Sequence, residues 1–185
     1  MVKSKFGTKE VIIAIVLIIV YVLLEGLQRY MVARGILTVE SYDWVKARVV
    51  IIAIAAALLG PAMGCVIGIS GALLANMIFY GYASYVEILA YALAAYIIGR
   101  YAKQFKIWEG EFKGRVILDF NVVQILSNVI CSIFVCPLLF FVGEDMNLLQ
   151  AANLGAKSAF GSSVSIAIVG TFVLWIFSKR CSKRV

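Results

Sequence analysis

Apolar stretches about one membrane thickness long, with basic clusters gathered at one set of their ends, constrain this chain more than any other feature. A hydrocarbon core about 30 Å thick needs roughly 20 predominantly apolar residues per helix to cross it. Val11–Leu24 is an unbroken run of this kind. Hydrophobic residues make up 63% of the 185 and charged residues 15%, against about 45–50% and about 25% in soluble domains. The pattern predicts an all-α integral membrane protein: a six-transmembrane-helix bundle with both termini cytoplasmic. Its spans fall at about 9–27, 45–59, 62–80, 85–101, 116–142 and 148–177, forming a single transmembrane domain over 1–185. A chain filled by helices and short loops leaves no room for an ATPase or a soluble catalytic module. The first run lacks an A-x-A cleavage site and ends at Glu25-Gly26, so it reads as a retained helix.

Orientation follows from the basic residues. With six spans, one side collects Lys3, Lys5, Lys9, Arg100, Lys103, Lys106, Lys113, Arg115, Lys179, Arg180, Lys183 and Arg184. The other side holds Arg29, Arg34, Lys46 and Arg48, with Lys157 inside the sixth span. Positive residues favour the cytoplasm, which puts both termini there. The net charge of +7 therefore reports orientation rather than nucleic-acid binding. The halves show no convincing repeat, which weighs against an inverted-repeat transporter.

The chemistry is sparse. There is no His, and Cys65, Cys131, Cys136 and Cys181 form no C-x-x-C pair, so no zinc site and no other metal or cofactor is expected. Without a His there is no catalytic triad. No P-loop is present. Glu109, Glu111 and Asp119 sit beside Lys113 and Arg115, which reads as a solvated ion-pair loop. An enzyme is not expected.

Four features stand out against this background. Gly64 and Gly68 form G-x-x-x-G, extended by Gly71, Ala72 and Ala75, which permits close helix approach; that serves either packing within the bundle or a sliding contact with a partner. Asn121, Gln124, Asn128 and Ser132 share one face of the fifth span. They form an interhelical hydrogen-bond ladder, or their outer members Asn128 and Ser132 face a substrate cavity. Asn153 and Lys157 are i, i+4 neighbours near the start of the sixth span; the lysine either snorkels to the surface or pairs with Glu87 or a ligand. Tyr30, Tyr42, Trp44, Tyr80, Tyr82 and Tyr85 gather at the outer face, as an interfacial belt or as stacking groups for a flat heterocycle. The polar connection from Gln28 to Trp44 is long for a simple loop.

With these motifs in view, nearly the whole chain resembles a substrate-binding S component of an energy-coupling factor (ECF) vitamin transporter, of a subfamily often labelled riboflavin-type. The residues that carry the resemblance are Gly60-Pro61-Ala62-Met63-Gly64 running through Gly68 and Gly71, Tyr80-Gly81, Gly110-Glu111-Phe112, and Phe120-Asn121-Val122-Val123-Gln124 with Asn128. The resemblance implies a multi-pass protein of a prokaryotic cell membrane. It would capture a vitamin or cofactor precursor near the outer face, under a lid formed by 28–44. It would dock onto a transmembrane coupling (T) subunit driven by two ABC ATPase subunits. The expected ligand contacts are Asn76, Asn128, Asn153 and Lys157, with Tyr42, Trp44, Tyr80 and Tyr82 supplying stacking and the lid. Ala14, Gly64, Gly68 and Gly71 are the expected partner-helix contacts. Two departures bear on this: the first-helix Ala-x-x-x-Ala motif reads here as Ala14 followed by Ile18, and the stretch after Gly71 has only Asn76 as a polar residue. The alternative reading is a ligand-sensing or scaffolding membrane protein without transport.

Overall fold

In hydrocarbon, backbone N–H and C=O groups must be satisfied within the chain, and helices do this locally. The computed structural model describes residues 7–38, 46–142 and 147–182, and among them there are helices and turns but no strand. The helices are α1 (Thr8–Ala33), α2 (Ala47–Leu59), α3 (Pro61–Tyr80), α4 (Tyr85–Arg100), α5 (Arg115–Val142) and α6 (Leu148–Ser182). A short 3₁₀ turn, Ala102–Phe105, lies between α4 and α5. Four of the helices, α1, α3, α5 from Arg115 to Leu138, and α6, are long and apolar enough to cross a membrane. The lipid-like surface is plain on α1, where Val11, Ile15, Ile19, Leu23 and Leu27 are all more than 40% exposed.

The centre of the bundle is α2. Its 13 residues span only about 20 Å at 1.5 Å per residue, too short to cross the core alone. It is instead enclosed by α1, α3, α4 and α6, and its run from Arg48 to Ala57 is buried except at Ile51. Four alanines, Ala53 and Ala55–Ala57, let neighbours approach closely. Gly60 holds φ at +84°, a left-handed value that favours glycine, and Pro61 opens α3 immediately afterwards. A Cβ on Gly64 would lie 2.8 Å from Ala56 Cα, and one on Gly71 would lie 2.9 Å from the Tyr21 ring. On the far side, α6 carries a π-helical segment, Ile166–Gly170, packed against α2. π-helical geometry is rare and occurs mostly as such single-turn bulges inside α-helices.

Two ends of the bundle are defined by contacts. At one, the α4–α5 connection folds inward: Phe105, Ile107 and Phe112 are buried, and Phe105 and Phe112 meet Phe120 edge-on. Trp108 Nε1 donates to Leu58 O (2.8 Å) and Phe112 N to Ser178 Oγ (3.1 Å). The charged residues of this loop, Glu109, Glu111 and Lys113, are exposed as a solvated ion-pair loop would have them, while its apolar residues plug the terminal end of the bundle. Its exposed pair, Lys106 and Glu111 (2.8 Å), has the lysine pKa raised and the carboxyl pKa lowered by their mutual hydrogen bond. Its exposure to solvent keeps the pair's contribution small. At the other end α1 runs on to Ala33, so Gln28–Ala33 is helical rather than part of the connection. Gln28 is buried there, and Glu25 and Arg29 pair along the helix.

Gly64→Leu is expected to destabilise the detergent-solubilised protein by about 1–3 kcal/mol, as overpacking of a filled core does. Leu73→Ala, at an exposed position of the same helix, should change the thermal midpoint little. Matching midpoints for the two variants would contradict the close α2–α3 contact.

Candidate ligand-binding site

Opposite the Phe-rich plug, three helices bring ionised groups into the bundle. Glu25 of α1 is fully buried and Arg48 of α2 nearly so. Arg48 Nη1 lies 3.1 Å from Glu25 Oε2, and its Nη2 pairs with Glu87 Oε1 of α4. Arg29 Nε donates to Glu25 Oε1 (3.1 Å). Among the described residues, two guanidinium groups thus meet two carboxylates, and these four charges balance. Each ion taken from water costs several kcal/mol, which mutual attraction offsets only where geometry and extra hydrogen bonds are good. Those bonds are present. Asn76 Nδ2 donates to Glu87 Oε2 (3.0 Å), Tyr91 Oη to Glu87 Oε1 (2.8 Å) and Tyr80 Oη to Glu25 Oε1 (3.3 Å). The Arg29 guanidinium also lies over the Tyr80 ring, 3.6 Å from its centre.

Glu87 and Tyr91 form one wall of a cavity of about 180 Å³ that is also lined by Lys46, Ser84, Leu154, Gly155 and Ser158. A deeper space of about 50 Å³ shares Ala90, Tyr91, Val135, Gly155 and Ser158 with it, and adds Asn128, Ser132 and Ser162. The combined site lies between α2, α4, α5 and α6. Lys46 Nζ donates to Ser158 Oγ (2.9 Å), a strap from the start of α2 to the α6 wall. Gly155 lets α6 close onto α5 at this wall: a Cβ there would collide with Cys136 Sγ. The floor is the upper part of the α5 ladder. Asn121 Nδ2 donates to Thr171 Oγ1 (3.3 Å) and Gln124 Nε2 to Ser163 O (3.2 Å), both across to α6. Asn128 Nδ2 donates back to Gln124 O (2.9 Å). The lower members of the ladder bond helix to helix, as one of its two readings had it, and Asn128 and Ser132 line the deeper space.

The other expected site residues fall in three places. Asn76 and Tyr80 belong to the ion-pair network, with Tyr82 exposed beside Tyr80, ring centres 5.8 Å apart. Asn153 and Lys157 are on the exposed face of α6, away from the cavity-facing Gly155, Ser158 and Ser162. Glu87, expected as a partner for Lys157, pairs with Arg48 instead. Tyr42 and Trp44 lie outside the described residues. Ala14, Gly64, Gly68 and Gly71 are buried within the bundle rather than open to a partner helix. Sequence reading missed the centre of the network. Glu25 and Arg48 read as charges at span ends, and only their pairing across α1 and α2 shows that both are inside. The available signal was one acid and one base flanking the same long connection, each within a turn or two of an apolar run.

The helices and this site define a multi-pass membrane protein with a polar cavity near one end. A family model described as "ECF-type riboflavin transporter, S component" matches residues 11–179. The chain belongs to that family. A UPF0397 protein of Lactobacillus johnsonii is 31% identical over 135 residues, 72% of each chain. One of Lactobacillus gasseri is 32% identical over the same length and share, and one of Clostridium perfringens 29% identical over 129 residues, 70% of each. No solved structure matches significantly.

Arg48→Met leaves the partly buried Glu87 carboxylate without its partner and is expected to destabilise the protein, by less than the about 3–5 kcal/mol lost when a fully buried pair is broken. Adding Glu87→Gln restores charge balance, because Glu25 keeps Arg29, and should recover most of that loss. Thermal unfolding in detergent checks both; a double variant as unstable as Arg48→Met would contradict the network as described.

Proposed function

We propose that this chain is the substrate-capturing subunit of an ATP-driven ECF importer and takes up a vitamin or cofactor precursor. The observation that carries the reading is a polar-floored cavity, between α2, α4, α5 and α6, in a chain of the S component family. In this proposal the cavity end faces outward and both termini are cytoplasmic. The basic residues of the plug and of the α6 end support that orientation. Asn128, with Ser162 and Ser158, supplies hydrogen bonds to the ligand, and Lys46 and Glu87 supply opposite charges at the mouth. The connection between α1 and α2 is the lid, with Tyr42 and Trp44 contributing stacking.

Riboflavin is the first compound to test, because the family description names it. Ligand pockets commonly measure about 300–1,000 Å³, and this cavity is smaller. A tricyclic flavin therefore requires the Lys46–Ser158 strap to open, whereas a single-ring precursor fits with less movement. Since Gly64, Gly68 and Gly71 are buried, docking onto a T subunit, itself coupled to two ABC ATPases, falls to exposed faces such as the Val11–Ile15–Ile19 stripe of α1.

Uptake of labelled riboflavin and of a panel of smaller vitamins into vesicles holding this chain with a coupling complex tests the proposal. ATP-dependent uptake of one compound is expected, and Ala90→Leu, which fills the cavity, should weaken its binding at least tenfold. Binding without any ATP-dependent uptake would favour a ligand sensor instead.

A further inference from the structure

A second concavity lies outside the cavity just described. It is an apolar groove of about 500 Å³ between α5 and α6, lined by Ile125, Val129 and Ile133 on one side and by Ala156, Phe160, Val164 and Ala167 on the other. Its walls open away from the bundle: Ile125, Val129, Ile133, Phe160 and Val164 are 40–64% exposed. From Ala156 to Ala167 it runs roughly 16 Å at 1.5 Å per residue, about half the hydrocarbon thickness.

At its upper end stand Asn153 and Lys157, both exposed. The steps from Asn153 to Lys157, Phe160 and Val164 are four, three and four residues, which stacks them along one side of α6. Lys157 makes no hydrogen bond or ion pair among the described residues. Lys157 and Lys179 are 22 residues apart, roughly 33 Å along the helix, which matches a core about 30 Å thick. When Lys179 sits at one headgroup layer, Lys157 sits at the other. The groove then descends from that layer through a single leaflet.

We propose that this groove and Lys157 form a binding site for one anionic phospholipid in the leaflet at the cavity end. The Lys157 ammonium and the Asn153 amide hold the headgroup phosphate, and one acyl chain fills the groove. The charge selects a net anionic headgroup over a zwitterionic one, and the length of the groove selects a chain of one leaflet. The site does not depend on the identity of the imported vitamin.

Native mass spectrometry of the whole chain in detergent, titrated with dioleoyl phosphatidylglycerol or dioleoyl phosphatidylcholine, tests it. The wild type should retain one phosphatidylglycerol in preference to phosphatidylcholine. Lys157→Gln should bind phosphatidylglycerol about fivefold more weakly, the scale of one lysine at an anionic surface. Ala156→Leu, an exposed substitution that narrows the groove, should reduce retention of both lipids. Equal retention of the two lipids by the wild type, or unchanged phosphatidylglycerol binding in Lys157→Gln, would overturn the proposal. Riboflavin binding measured on the same samples separates the two sites. Loss of riboflavin with retained phosphatidylglycerol in Lys157→Gln would return that lysine to the vitamin site and overturn the lipid assignment.

Discussion

The fold depends on Arg48, a guanidinium held inside a membrane bundle by two carboxylates on two different helices. Removing one partner from such a group leaves an unbalanced charge in a medium that solvates it poorly. That requirement ties α1, α2 and α4 into one arrangement at the cavity end. The hydroxyls and amide that complete the network, from Tyr80, Tyr91 and Asn76, bring α3 into the same unit. Apolar contacts alone could not fix that arrangement, since lipid is as good a neighbour for a leucine as another helix is.

The network also sets the site. Glu87 and Tyr91 are at once members of the network and walls of the cavity. Lys46, two residues before Arg48, straps α2 to Ser158 of α6. The start of α2 therefore reports in two directions: through Arg48 to α1 and α4, and through Lys46 to the cavity mouth. α1, through Glu25 and Arg29, and the start of α2, through Arg48, thus belong to one electrostatic unit.

Much of this was legible in the chain. Apolar run lengths mark the helices, although α2 is shorter than the core is thick, and Gly60-Pro61 marks the α2–α3 turn. The shared face of Asn121, Gln124 and Asn128 is legible from spacing, which left a helix-to-helix ladder and a cavity face as alternatives. What sequence could not supply was the rotation of each helix about its own axis. Lys157 and Ser158 are adjacent in sequence, yet one is exposed and the other lines the cavity. The same limit hid the Glu25–Arg48 pair: an ionised residue near the end of an apolar run reads equally as an interfacial anchor or a buried partner. The plug of Phe105, Ile107 and Phe112 was hidden by its charged neighbours, which dominate the composition of a loop whose aromatic residues point inward.

The central claim is that a ligand occupies the cavity between α2, α4, α5 and α6. Mass spectrometry, with an absorbance spectrum, on the detergent-purified chain from cells grown in rich medium tests it most directly. The account predicts one small molecule per chain, a vitamin or cofactor precursor, lost when Ala90 is enlarged to leucine. A protein that emerges empty and binds no member of a vitamin panel would contradict it.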